Sequence, residues 1–243
     1  MNFNDLEKNW NGLGKTDPYW AVLTNPDKIN NQWSTEEFYE TGRNFFNFII
    51  KDLEIVETLG RQKALDFGCG PGRITQAMCP YFEQVCGVDI SASMIERANT
   101  ENKFKDQCRY FANPKNDLSL FEDNSFDLVF SIITLQHIHP KYSLNYIREF
   151  TRIVKSGGYV VFNLPSSPPL YYKTASALLG NKGINFLRKT LLKRKWVMEM
   201  HWVKEDKVVQ LLKEHGCEII AQKDDPNVDG QWESYLYLGR KKG

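Results

Sequence analysis

The chain has almost no surplus of either charge. Lys and Arg total 31 and Asp and Glu 30 among 243 residues, a formal net charge of +1. No global field is therefore present to gather nucleic acid or an anionic surface, and no nucleic-acid partner is expected. Long apolar runs are also missing: none approaches the roughly 18 residues of a membrane span. The opening stretch MNFNDLEKNW has no apolar core of the signal-peptide kind. Cysteine is sparse and scattered, at Cys69, Cys79, Cys86, Cys108 and Cys217, an odd number with no C-x-x-C pair. That pattern argues against a disulfide framework and a zinc site, and no metal is expected. Repeats and low-complexity tracts are absent. A reduced, cytoplasmic protein is the reading, and composition leaves its oligomeric state open.

What is present is an alternation of strand and helix signals. Residues 1–33 are aromatic and turn-rich, too apolar for a disordered tail, and should pack on the rest. Ser34 and Glu37 fit a capping box ahead of Phe38, Phe45, Phe46, Ile49, Ile50 and Leu53 at helical spacing. Strand-like runs follow in KALDF, QVCGVDI, CRYFA, FDLVFSII and GGYVVFNL, with helix-like stretches at 72–82, 91–102 and 141–155 between them. The strands are apolar at nearly every position, as strands covered on both faces should be. This predicts a doubly wound, mostly parallel α/β sheet. A last helix, KEDKVVQLLKEHG, leads to CEIIAQ and ESYLYLG, whose connection is too short for a crossover, so these two should pair antiparallel.

The stretch ALDFGCGPGR places Gly68, Gly70 and Gly72 directly after the first strand. In an open α/β sheet ligands bind beyond the carboxyl ends of the strands. Glycines there admit positive φ and let backbone N–H groups come close to a ligand, although a tight turn without a ligand would also use them. Asp89 ends the second strand, where a carboxylate can accept from both ribose hydroxyls of a nucleoside. The dinucleotide fingerprint G-x-G-x-x-G fails, because its third glycine would be Arg73. Asp66 suits a cationic group, held directly or through water. A nucleoside with a charged amino-acid tail and no phosphate is implied.

ALDFGCGPGR, VCGVDISASMIERA, FDLVFSIITLQHI and SGGYVVFNLP, in that order over residues 60–165, resemble the class I S-adenosylmethionine-dependent methyltransferases. The resemblance implies a Rossmann-like seven-stranded sheet of order 3-2-1-4-5-7-6 with the seventh strand antiparallel, and S-adenosyl-L-methionine as cofactor. By the same resemblance Asp66, Gly68, Cys69 and Gly70 approach the methionine moiety, and Asp66 helps hold its amino group. Asp89 takes the ribose, and Ile90 and Met94 pack on adenine. Asp117 and Leu118 lie beside the base, and Ser131 borders the methionine portion. Met94 is equally well spaced to be a core residue of its helix.

The domain plan is a lid segment and helix at 1–58, the cofactor domain at 59–164 and 204–243, and an inserted cap at 165–203. Methyl transfer needs alignment and dryness more than a catalytic motif. His137 in LQHIHP is the candidate base, against the alternative of a structural histidine bonded to backbone. His139 reads as part of a turn, and His215 as a cation at a helix end. Tyr19, Trp20, Trp33, Trp196, His201 and Trp202 are candidates for the acceptor pocket or for packing. Arg43 could reach the donor carboxylate or stay solvated. In the cap, Lys182, Arg188, Lys189, Lys193, Arg194 and Lys195 occur without an acid between them. With Ile184, Leu187, Leu191 and Leu192 they read as a basic amphipathic helix. It could meet an anionic or lipid-linked substrate or a membrane surface, or form one solvated face. The leading expectation is methyl transfer to O or N of a small molecule such as a sugar, glycan or secondary metabolite. A macromolecular acceptor and a donor-binding protein without activity are the alternatives, and a nicotinamide oxidoreductase fails at Arg73.

Overall fold

The computed structural model describes residues 1–191, 195–227 and 231–243, with backbone alone at Asn181 and Lys182. Among these residues one sheet holds β1 (Lys63–Phe67), β2 (Gln84–Asp89), β3 (Cys108–Ala112), β4 (Phe126–Ser131), β5 (Val154–Ser167), β6 (Cys217–Asp224) and β7 (Glu233–Lys241). The order is β3-β2-β1-β4-β5-β7-β6. The first five strands are parallel, and β7 runs antiparallel to both β5 and β6. This is the predicted sheet, including the terminal pair.

Both faces are covered, which explains the unbroken apolar strands. Leu65, Val129, Val160 and Phe162 pack against α6 (Pro140–Ile153) and α8 (Glu205–Glu214). Ala64, Leu128, Phe130 and Val161 pack with residues of α3 (Thr35–Asp52), α4 (Arg73–Met78) and α5 (Ala92–Thr100). Ser34 caps α3 by accepting from the Glu37 N–H at 3.2 Å, one half of the expected box. All five cysteines are buried and free.

The first 33 residues are more regular than their turn-rich composition predicts. Phe3–Thr16 form α1, capped by Asn2, and Pro18–Val22 form α2, capped by Asp17. Gly12 and Gly14 obscure α1 in the sequence, since glycine weakens a helix. Here they are contact points instead. A Cβ at Gly12 would lie 2.1 Å from the Trp196 ring, and one at Gly14 would lie 2.5 Å from Ser93 Oγ.

After β5 comes α7 (Leu170–Leu191), broken at Gly180 with φ 60° and ψ 170°. The chain returns through 195–204, where the His201 N–H donates to Gln136 O and the Val203 N–H to Pro165 O. Of the basic run, Lys193 and Arg194 lie outside the described residues, as does Leu192. Asn9 and Val197 exchange two hydrogen bonds, at 2.8 and 2.9 Å, and so fasten α1 to this returning segment. Among the described residues no helix is long and apolar enough to cross a membrane.

Candidate active site

The turn from β1 into α4 holds Gly68 at φ 73°, Gly70 at φ 52° and Gly72 at φ 90°. These are left-handed values that side chains rarely adopt. The turn is stitched to β2: the N–H groups of Gly68 and Cys69 both donate to Val88 O. Asp89 joins loop to helix, since its Oδ2 accepts from the Gly70 N–H at 2.9 Å and its Oδ1 from the Ser91 N–H at 2.8 Å. A carboxylate has about four lone-pair positions, so capacity for a ligand remains. Burial pushes the Asp89 carboxyl up, opposed by the Ser91 and Gly70 N–H groups.

Beyond the carboxyl ends of β1, β2 and β4 lies a narrow, mostly apolar cleft of about 70 Å³. Gly68 and Gly70 form its floor, with Asp89, Ile90 and Met94 on one side and Ile132, Ile133 and Thr134 on the other. Phe3, Leu6 and Trp10 of α1 and Ala21 and Val22 of α2 roof it. Met94 satisfies both of its readings: it walls the cleft and is 1% exposed within a cluster containing Leu13 and Ala21.

Other nominated residues stand behind this wall. Asp66 is 3% exposed, and its Oδ2 accepts from Thr75 Oγ at 2.6 Å. Burial raises its carboxyl to about 7, despite the Thr75 bond and the nearby Arg73. Arg73 is itself buried, which lowers its guanidinium to about 10, and Asp66 opposes the shift. Cys69 is buried with its thiol against Gly70 O. Ser131 is fully buried and its Oγ has no hydrogen-bond partner. Asp117 and Leu118 do not wall the cleft. Instead Asn113, which directly follows β3 and does, donates to Asp117 O at 2.7 Å, while the Leu118 N–H donates to Glu149.

The nominated aromatics are mostly structural. Tyr19 stacks on Phe38 at 4.3 Å and donates to Glu101. Trp20 donates to Asn25 O, and the Trp33 ring packs edge-on against Phe38. Trp202 meets Tyr172 edge-on at 6.3 Å, and Trp196 lies over Gly12. Arg43 pairs with Glu36 on the surface. Trp10, absent from the nominated set, both roofs the cleft and sits 5.3 Å from the His137 ring.

His137 is 8% exposed, and its Nδ1 lies 2.8 Å from Glu199 O. A carbonyl can only accept, so Nδ1 carries the hydrogen and Nε2 the lone pair. Burial lowers this imidazole to about 4, leaving it neutral at pH 7. The Glu199 carboxylate, also buried, accepts from His201 Nε2 at 3.1 Å, from the Met1 amino group at 2.8 Å and from Asn185. Burial would raise it, but these donors hold it down at about 2. His201 therefore braces the cap and does not face the cleft.

A family model described as a methyltransferase domain matches residues 65–162. Malonyl-[acyl-carrier protein] O-methyltransferase of Marinomonas sp. is 25% identical over 223 residues, 82% of this chain and 80% of that protein. Demethylmenaquinone methyltransferase of Staphylococcus aureus is 31% identical over 147 residues, 59% and 57% respectively. Several curated relatives are spanned over only 42 to 57% of their length. Among solved structures, magnesium protoporphyrin IX methyltransferase of Synechocystis with bound S-adenosylhomocysteine superposes with TM-score 0.65 at 15% identity, covering 99% of this chain and 100% of that one. Sheet order, glycine turn and strand-end aspartate define a nucleoside-binding α/β protein of the methyltransferase type. Residues 65–162 match the methyltransferase-domain family, and the fold is that of S-adenosylmethionine-dependent methyltransferases of solved structure.

The residues present fit that family's cofactor. The glycine floor puts no Cβ into the cleft, Asp89 retains acceptor capacity, and Ile90 and Met94 supply an apolar wall. Asp89→Ala removes the acceptor of two backbone N–H groups as well as any ribose contact. Donor affinity measured by calorimetry should fall at least tenfold, about 1.4 kcal/mol or more. Unchanged affinity would remove Asp89 from the site.

Proposed function

We propose that the protein transfers a methyl group from S-adenosylmethionine to an oxygen or nitrogen of a small molecule held under the lid (1–58) and cap (165–203). The observation that carries this reading is the cleft at the strand ends, closed above by Phe3, Leu6 and Trp10. The names of two relatives support methyl transfer, one of them at oxygen: malonyl-[acyl-carrier protein] O-methyltransferase and demethylmenaquinone methyltransferase, the second naming a small-molecule acceptor.

S-adenosylmethionine supplies a methyl carbon already activated on a sulfonium. The chain then has to orient donor and acceptor and exclude water, which can supply most of the acceleration. Asp89 would hold the ribose, Ile90, Met94 and Asn113 the adenine side, and Gly68 and Gly70 the methionine portion. Asp66 would act on the ammonium group from behind the turn, with Cys69 and Ser131 as packing around it. His137, buried beside Trp10 and next to the cleft residue Ile138, would be the group to take a proton from the acceptor through Nε2.

His137→Asn keeps an N–H donor near the position of Nδ1 and deletes Nε2. We expect kcat to drop about 100-fold with little change in KM or melting temperature. A falling melting temperature with unchanged kcat would leave His137 only its tie to the cap. The whole reading is tested by incubating the protein with methyl-labelled S-adenosylmethionine and a cell extract. Label in small water-soluble products supports it. Label confined to macromolecules overturns the small-molecule acceptor, and donor binding with no labelled product in any fraction identifies a binding protein without activity.

A further inference from the structure

The cap helix turns apolar side chains outward. Among the described residues eleven large hydrophobic side chains are exposed, and seven of them lie on α7. Leu170 is 79% exposed, Leu178 78%, Leu191 74% and Phe186 66%. In the second half of the helix the inward side is occupied by polar ties. Asn185 bonds to Glu199, and Arg188 donates to Met198 O at 2.9 Å. At 100° per residue Phe186 and Leu187 point away from those ties, and Leu191 lies exposed at their edge.

Charge is segregated onto the same stretch of chain, α7 and the residues directly after it. No Asp or Glu occurs from residue 150 to residue 198, while 166–198 contains seven Lys and Arg. Of the chain's 31 cations, 24 are left elsewhere against 30 acids, so the rest of the chain carries a formal −6 and this stretch +7. Lys173, Lys189 and Lys195 are exposed. A groove of about 850 Å³ between α1 and α7 also opens here, with Lys8, Lys141, Phe186 and Lys189 in its walls.

We propose that α7 docks the protein on an anionic lipid bilayer. Its apolar residues enter the boundary between headgroups and acyl chains, its lysines meet lipid phosphates, and the groove opens at the membrane face. A second copy of the chain fits this surface less well. Two-fold pairing through α7 would set one acid-free cationic helix against another. The inference does not depend on the identity of the methyl acceptor.

The test is sedimentation of the full chain with vesicles of phosphatidylcholine alone and of phosphatidylcholine containing phosphatidylglycerol. Binding should be about tenfold stronger on the anionic vesicles, and should weaken as salt rises from about 0.1 to about 0.5 M. Leu178→Glu, Leu187→Glu and Leu191→Glu, combined, should abolish it. Melting temperature and donor affinity should stay unchanged, because all three side chains are exposed. Absence of binding to anionic vesicles, equal binding to neutral ones, or binding that survives the triple substitution would overturn the proposal. A dimer in light scattering that the same substitutions dissociate, without vesicle binding, would overturn it in favour of a second copy.

Discussion

Asp66→Asn is expected to stabilise the ligand-free protein at pH 8 and to weaken donor binding at the same pH. Folding raises this carboxyl from 3.8 to about 7, chiefly through burial. The unfolded chain therefore releases the proton first as pH rises. Stability is lost progressively between about pH 4 and pH 7, and the full cost is present above pH 7. At 1.36 kcal/mol per unit the upper bound is about 4 kcal/mol. The Asn side chain still accepts from Thr75 but leaves its own N–H groups unpaired, so the net gain should be about 2 kcal/mol. Denaturant unfolding at pH 5 and pH 8 checks the sign, since wild type and variant should converge at pH 5. A gap that persists unchanged at pH 5 would mean that ionisation is not the cause. For wild type, an ammonium group brought near Asp66 favours the charged carboxylate, so donor affinity should climb as pH rises towards 7 and level off above it. The variant should lose that climb. Such a carboxyl is costly in the empty protein and useful in the complex, a combination typical of functional sites.

The second large effect is expected at Gly68. Alanine there meets two obstacles that can be separated. The backbone sits at φ 73°, and the new Cβ would lie 2.1 Å from Thr134 Cγ2 and 2.3 Å from its Oγ1. Left-handed backbone costs a non-glycine residue about 1–2 kcal/mol, and overpacking a closed site typically adds about 1–3 kcal/mol. A combined loss of about 3 kcal/mol in unfolding free energy is expected, with donor affinity reduced about 100-fold because the turn is also the cleft floor. Adding Thr134→Gly should recover the steric part and leave the backbone part. Full recovery would show that φ is not limiting, and no recovery would show that Thr134 is not the obstacle.

The sheet was legible because its strands are buried on both faces and so read as unbroken apolar runs, while short connections forced the last pair to be antiparallel. The glycine turn and Asp89 were legible for a similar reason: few residues tolerate positive φ, and few end a parallel strand with a carboxylate. The roof was not. Residue type marks Tyr19, Trp20 and Trp202 as apolar and large, but not which way they face. Tyr19 was drawn to Phe38 and Glu101, while Trp10, no more conspicuous in sequence, faces the cleft. Asn113 left a faint signal, a polar residue directly after β3 as Asp89 is at the end of β2. In the neighbouring NDLSLF, Asp117 supports Asn113 from behind through its carbonyl, while Leu118 is a core residue.

The paired hydrogen bonds between Asn9 and Val197 also carry a consequence for assembly. They join residues 188 positions apart, and contacts of such long range reward the chain only after the intervening structure has formed. On the ribosome α1 emerges long before its anchor. Asn11 also ties α1 to the start of α5 through Ser91 and Ser93, so the roof of the cleft is fastened both to the cofactor half of the sheet and to the returning cap segment.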